Sequence, residues 1–210
     1  MRTACHRAKT GVLVWRFLFW PALLSLLLLA GCGARSWEIE AAYDSARRAS
    51  LPEARGVNLY MAPVEGPEDR LWYETGSRRW YLERPPTELV REALVQGMEF
   101  MGLRFTEHPA LADGRLEARI RWFAPYGHSP FAAVVIVSLS LHGGEGAQFL
   151  WWGRIRAGRD EKPKGMGVFG GREELGKVLS EVLTEAVDQL RWKPEFRHAL
   201  RCMRSIPSAG

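Results

Sequence analysis

Residues 1–32 constrain this chain before any fold is considered. Arg2, Arg7, Lys9 and Arg16 make a basic start, residues 17–29 an apolar run, and Ala30, Gly31 and Cys32 a small-residue end. The run is shorter than the roughly 20 apolar residues that a comfortable membrane span needs. It has the flanks and dimensions of a signal-peptide core. Small residues at 30 and 31 let a peptidase reach the backbone, and the cysteine directly behind them is what lipidation requires. The competing readings are an ordinary signal peptide and a single anchor helix with a chance cysteine. Cleavage before Cys32 would remove Cys5 and acylation would occupy Cys32, leaving Cys202 as the remaining thiol of residues 32–210. No intrachain disulfide could then form. The mature chain must fold on its core alone, even in an oxidising compartment.

Leu29-Ala30-Gly31-Cys32 matches the bacterial lipobox, and the resemblance implies a thioether-linked diacylglyceryl group on Cys32, usually with a third chain on its amine. Each buried methylene of such an anchor adds roughly 0.8 kcal/mol of membrane affinity. Gly33, rather than an aspartate, follows the cysteine; by resemblance to enterobacterial sorting rules this implies the outer membrane, periplasmic face. The charge reads differently after cleavage. The net +5 includes the four basic residues before Cys32 and no acid precedes it, so the mature chain falls to +1. The high isoelectric point is therefore no argument for nucleic acid. No interleaved basic and aromatic patch is visible along the sequence, and no nucleic-acid partner is expected.

The organisation is read as a signal peptide over 1–31, a lipidated cysteine and tether over 32–55, one α+β domain over 56–193 and a basic tail over 194–210. Val57, Leu59 and Met61 alternate with Asn58 and Tyr60 in a first strand. Residues 70–84 read as a hairpin with arms Leu71-Trp72-Tyr73 and Trp80-Tyr81-Leu82, whose aromatic residues suit cross-strand pairing. Thr87 is the expected N-cap of a helix whose stripe is Leu89, Val90, Ala93, Leu94, Gly97, Met98 and Met101, with Gly102 as its stop. Residues 103–107 are a candidate short strand. Over 115–123, Leu116, Ala118, Ile120 and Trp122 are expected on one face and Arg115, Glu117, Arg119 and Arg121 on the other. Residues 131–141 and 148–157 complete three strands with hairpin spacing, the last with Phe149, Trp151 and Ile155 expected opposite Trp152, Arg154 and Arg156. A glycine-rich loop over 158–171 leads to a second amphipathic helix from about 172 to 191, limited by Pro194. The fold class expected is α+β: an antiparallel sheet with two amphipathic helices on one face.

Candidate chemistry is sparse. Gly165-Met166-Gly167-Val168-Phe169-Gly170 has the bare spacing of a dinucleotide fingerprint, but no tight strand-to-helix turn precedes it and no parallel strand follows. It reads as a loop. His198 and Cys202 are four apart and would share a helix face, yet two ligands do not close a metal site. His108, His128 and His142 could each meet a serine and an acid in space, but no nucleophile-elbow pattern accompanies them. Neither a cofactor, a metal nor catalysis is expected. Trp151 and Trp152 place one indole on each sheet face, so one is core and the other needs a cover, a partner or a ligand.

The succession of a lipobox, a first strand, Leu71-Trp72-Tyr73, Trp80-Tyr81-Leu82-Glu83-Arg84-Pro85-Pro86 and the helical pattern Leu89, Leu94, Met98, Gly102 resembles the ABC-type transport auxiliary lipoproteins. The later strands 116–123, 132–141 and 151–156 and the closing helix follow the same order, so the resemblance covers roughly 57–191. It implies a noncatalytic accessory lipoprotein of an intermembrane lipid transporter. The partners implied are the membrane, through the anchor, transporter subunits with mammalian-cell-entry-type domains, and phospholipid; which substrate moves is left open. Trp72, Tyr73, Trp80 and Tyr81 are the candidate contact residues, from the excess of aromatics on one short hairpin. The alternative is a lipoprotein that assists outer-membrane or lipopolysaccharide assembly. A carrier holding an acyl chain between sheet and helices is a further reading.

Overall fold

The computed structural model describes residues 35–44, 50–75, 78–125, 131–144, 148–160 and 171–205. Cys32, the signal segment, His128 and the 165–170 glycine run lie outside the described residues. The fold is α+β. Its strands are β1 (Arg35–Ile39), β2 (Asn58–Met61), β3 (Leu71–Thr75), β4 (Arg78–Leu82), β5 (Arg104–Thr106), β6 (Gly114–Pro125), β7 (Ala132–Gly143) and β8 (Gln148–Asp160). Its helices are α1 (Pro86–Met101), α2 (Gly171–Asp188) and α3 (Pro194–Arg204).

Two sheets form. One has the order β1-β4-β3 and the other β5-β2-β6-β7-β8. The antiparallel sheet expected from the sequence is found over β6, β7 and β8, but β2 is parallel to both β5 and β6, and β1 is parallel to β4. The reason is connectivity. The chain between β2 and β5 carries the β3–β4 hairpin and α1, long enough to cross over and return in the same direction.

The core lies between one face of the five-stranded sheet and the helices. Leu116, Leu139, Leu141 and Ile155 from the sheet meet Leu175, Leu179, Val182 and Leu183 of α2, all essentially inaccessible. Each such side chain contributes about 1.5–3 kcal/mol relative to leaving it in water. Helix α1 begins two residues earlier than a cap at Thr87 would set it. Pro86 occupies the first turn, where a missing N–H costs nothing. Thr87 is therefore not the cap; it is buried and its hydroxyl donates to Glu68 Oε1 at 3.2 Å. Gly102 ends the helix at φ +104°, a conformation that favours glycine.

Two segments differ from the sequence reading. The 32–55 tether instead enters the fold at Arg35. Residues 35–39 are β1, and residues 40–44 lie along α2. The Ala42 N–H donates to Ser180 Oγ and the Asp44 N–H to Thr184 Oγ1, both at 3.0 Å, and the Tyr43 hydroxyl donates to Asp188 Oδ1 at 2.8 Å. Gly176, one turn before Ser180, leaves room for the Glu40 carbonyl. The signal was present: Trp37, Ile39, Ala41 and Tyr43 alternate with Glu38, Glu40, Ala42 and Asp44. The 194–210 tail instead holds α3. Pro194 both limits the preceding turn and opens this helix. Phe196, Ala199, Leu200 and Met203 fall on one face and are buried. Phe196 packs on Trp151 with ring centroids 5.1 Å apart. Arg197 of α3 donates to Glu53 Oε1 at 2.7 Å, and this hydrogen bond holds the Glu53 carboxyl below the ordinary glutamate range.

Candidate interaction surface

Among the described residues, one face of β6, β7 and β8 carries no helix. Side chains alternate along each strand, and the register sets those on this face in cross-strand rows. Arg115, His142 and Phe149 form the first row. Glu117, Ser140 and Trp152 form the second, Arg119, Ser138 and Arg154 the third, and Trp122, Ile136 and Arg156 the fourth. Trp122, Phe149 and Trp152 are more than half exposed. A shallow groove of about 500 Å³ runs across this face, lined by Pro63, Glu65, Arg119, Arg121, Ser140 and Trp152 among others.

The electrostatics are one-sided. Arg115 pairs with Glu117 at 3.0 Å and Arg119 with Glu65 at 3.6 Å. Arg121 donates from Nε to Ser138 Oγ at 3.1 Å. Arg154 and Arg156 have no carboxylate partner among the described residues. The face thus interleaves guanidinium groups with indoles, an arrangement suited to anionic and planar groups. The linear sequence shows no such patch, because its members come from strands separated by turns and meet only through the register.

Two β-bulges decide who belongs to it. The β6–β7 register shifts between Ile120 and Trp122, and the β7–β8 register between Leu141 and His142. An extra residue in a strand sends every later side chain to the opposite face. Trp122, expected beside Leu116, Ala118 and Ile120, therefore stands in solvent, and Phe149, expected beside Trp151 and Ile155, does so too. The two indoles at 151 and 152 divide as expected: Trp151 is 6% exposed and Trp152 54%.

The hairpin residues behave differently from the contact surface expected of them. Trp72 and Trp80 are buried, at 4% and 8% exposure. Trp72 meets Phe123 edge-on at 5.6 Å, and Trp80 packs against Trp37 at 5.0 Å and Tyr73 at 5.5 Å. These indoles join the small sheet to the core, so they offer no free contact area. Tyr73 and Tyr81 remain half-buried at the surface. A hairpin rich in aromatics reads the same from sequence whether its rings face a partner or the domain's own second sheet.

The structure also brings one histidine near a serine and an acid. His142 Nε2 lies 3.6 Å from Glu117 Oε2, and the Ser140 hydroxyl donates to the same oxygen at 3.3 Å. The carboxylate stands between hydroxyl and imidazole, whereas nucleophile activation needs the imidazole in the middle. His198 Nε2 and Cys202 Sγ share a face of α3 as their spacing implies, 3.5 Å apart.

No family model matches the chain, and no curated protein matches it in sequence. Among solved structures, protein XCC0632 from Xanthomonas campestris, described as of the DUF330 family, aligns with a TM-score of 0.50 at 13% identity. That alignment covers 74% of this chain and 94% of that one. The hypothetical protein CT253 from Chlamydia trachomatis aligns at 0.44 with 10% identity, covering 64% and 95%. A minor lipoprotein from Acinetobacter baumannii aligns at 0.39 with 8% identity, covering 70% and 92%. The likeness to the Xanthomonas protein is one of fold, and the α+β arrangement of sheet and helices is what the two share.

Proposed function

We propose that this chain is an outer-membrane-anchored, periplasmic accessory lipoprotein of an ABC-type intermembrane lipid transport system, and that it works by docking rather than by catalysis. The observation that carries the reading is the uncovered sheet face, where Trp122 and Trp152 stand exposed among Arg119, Arg121, Arg154 and Arg156. Large apolar groups left in water beside arginines are features of interaction surfaces. The lipobox supports the anchor, and the order of strands and helices supports the resemblance to the auxiliary lipoproteins. Its partner is a transporter subunit with a mammalian-cell-entry-type domain, meeting this face with acidic groups.

Affinity capture from detergent-solubilised membranes, read by mass spectrometry, tests this. The expected result is recovery of a permease, an ATPase and a mammalian-cell-entry subunit, with that recovery lost in a Trp122→Ala, Trp152→Ala variant that still folds. Recovery of only outer-membrane barrel or lipopolysaccharide-assembly proteins would replace the reading with its alternative. Recovery of the transporter unchanged by the double substitution would remove the sheet face from the contact.

A further inference from the structure

The chain enters β1 at Arg35, three residues beyond Cys32. Three extended residues reach at most about 11 Å. The parallel register sets Arg35 beside Arg78, and Arg78 in turn lies opposite Thr75 of β3. An acyl chain on Cys32 therefore holds one particular end of the small sheet near the bilayer: the end where β3 passes to β4. The opposite end of that sheet, at Ile39 and Leu82, leads into the core.

The chemistry of the held end suits a headgroup layer. Arg78 and Arg79 are both exposed there. Glu74 is the acid beside them, and it is paired with Arg79 at 2.7 Å. Among the described residues Arg78 has no carboxylate partner, and it sits 6.0 Å from the Trp37 ring. Trp37 and Tyr73, both half-buried, pack on either side of Trp80. Tryptophan and tyrosine with an apolar body and a polar edge are enriched at the membrane–water boundary, and arginines close to an anionic surface are drawn to it.

We infer that this end of the three-stranded sheet, with Arg78 and Arg79 foremost, rests on anionic phospholipid headgroups when the chain is anchored. The inference rests on acylation of Cys32. The lipid anchor and the arginines act together, since tethering makes a weak surface contact intramolecular. The far end of β6, marked by exposed Leu111 and by Gly114, is the end remote from the small sheet, because Trp72 of that sheet packs at Phe123 near the other end of the same strand.

The test uses the full acylated chain in vesicles of phosphatidylethanolamine with phosphatidylglycerol, and in vesicles of phosphatidylcholine alone. A single fluorescent label is placed at Thr75→Cys or at Leu111→Cys in a Cys202→Ser background, and brominated acyl chains serve as quencher. Quenching several-fold stronger at 75 than at 111 on the anionic vesicles is expected. It should fall in Arg78→Glu, return in Arg78→Lys, and be weaker on phosphatidylcholine. Equal quenching at the two positions, stronger quenching at 111, or indifference to vesicle charge and to Arg78→Glu overturns the inference. Intact mass and vesicle flotation report acylation separately. A chain without the acyl mass defeats both the anchor and the orientation, whereas an acylated chain with equal quenching defeats the orientation alone.

Discussion

An alanine Cβ at position 176 would lie 2.3 Å from the Glu40 carbonyl oxygen, and that contact shows how single residues hold the N-terminal segment. Gly176, Ser180 and Thr184 repeat every four residues on α2 and so lie in one line along it. The glycine admits the Glu40 backbone, and the two hydroxyls accept the Ala42 and Asp44 N–H groups that would otherwise face an apolar helix. In an open helix interior, replacing glycine by alanine stabilises by about 1 kcal/mol. At Gly176 the displaced backbone reverses the sign: overpacking of this kind costs about 1–3 kcal/mol. Denaturant unfolding of Gly176→Ala should show a net loss of stability, and a net gain would mean that residues 40–44 do not dock here. Asp188 completes the same line. It accepts the Tyr43 hydroxyl and lies 3.4 Å from buried Arg191, so the segment ends on a charged pair rather than on an apolar contact.

At the scale of elements, α3 has the spacing of an amphipathic helix, with Phe196, Ala199, Leu200 and Met203 on its buried face. It closes the end of the core that the sheet and α2 leave open. Phe196 is fully buried against Trp151, and Met203 lies over Gly114, where a Cβ would come within 2.5 Å of the thioether methyl. Phe196→Ala should therefore cost about 3–5 kcal/mol, the usual range for an aromatic removed from a packed core. Calorimetry checks it, and a loss below about 1 kcal/mol would make α3 an appendage rather than part of the core. The edge of β8 is managed by an element as well. Gln189 accepts the Arg156 N–H at 3.2 Å and donates to the Arg156 carbonyl at 2.6 Å, occupying a ladder position that another strand could otherwise take.

At the scale of the whole molecule, residues 35–44 bind the small sheet, α2 and the core into one body. Ile39 and Tyr43 alone bury two large side chains, worth together roughly 3–6 kcal/mol. Domains of this size are stable by only about 5–15 kcal/mol. A chain beginning at residue 45 should melt roughly 10 °C lower or more, and an unchanged melting temperature would restore the tether reading of this segment. The α+β class, both long helices, the β6–β8 order and the split of Trp151 from Trp152 were legible from sequence, because each depends on local periodicity. The strand β1 and helix α3 were legible too, in the alternation over 37–44 and the spacing from Phe196 to Met203, but charged neighbours masked both. The contact surface was not legible. Burial of Trp72 and Trp80 depends on Phe123 and Trp37, which lie far along the chain from at least one of them. The exposure of Trp122 and Phe149 depends on two bulges that leave no mark in residue type. Sequence by itself determined the elements and the cysteine arithmetic, because periodicity and thiol count are properties of the chain. Tertiary structure decided which face stayed bare and which end of the small sheet holds Arg35 beside Arg78, because register and parallel pairing exist only between segments that have met.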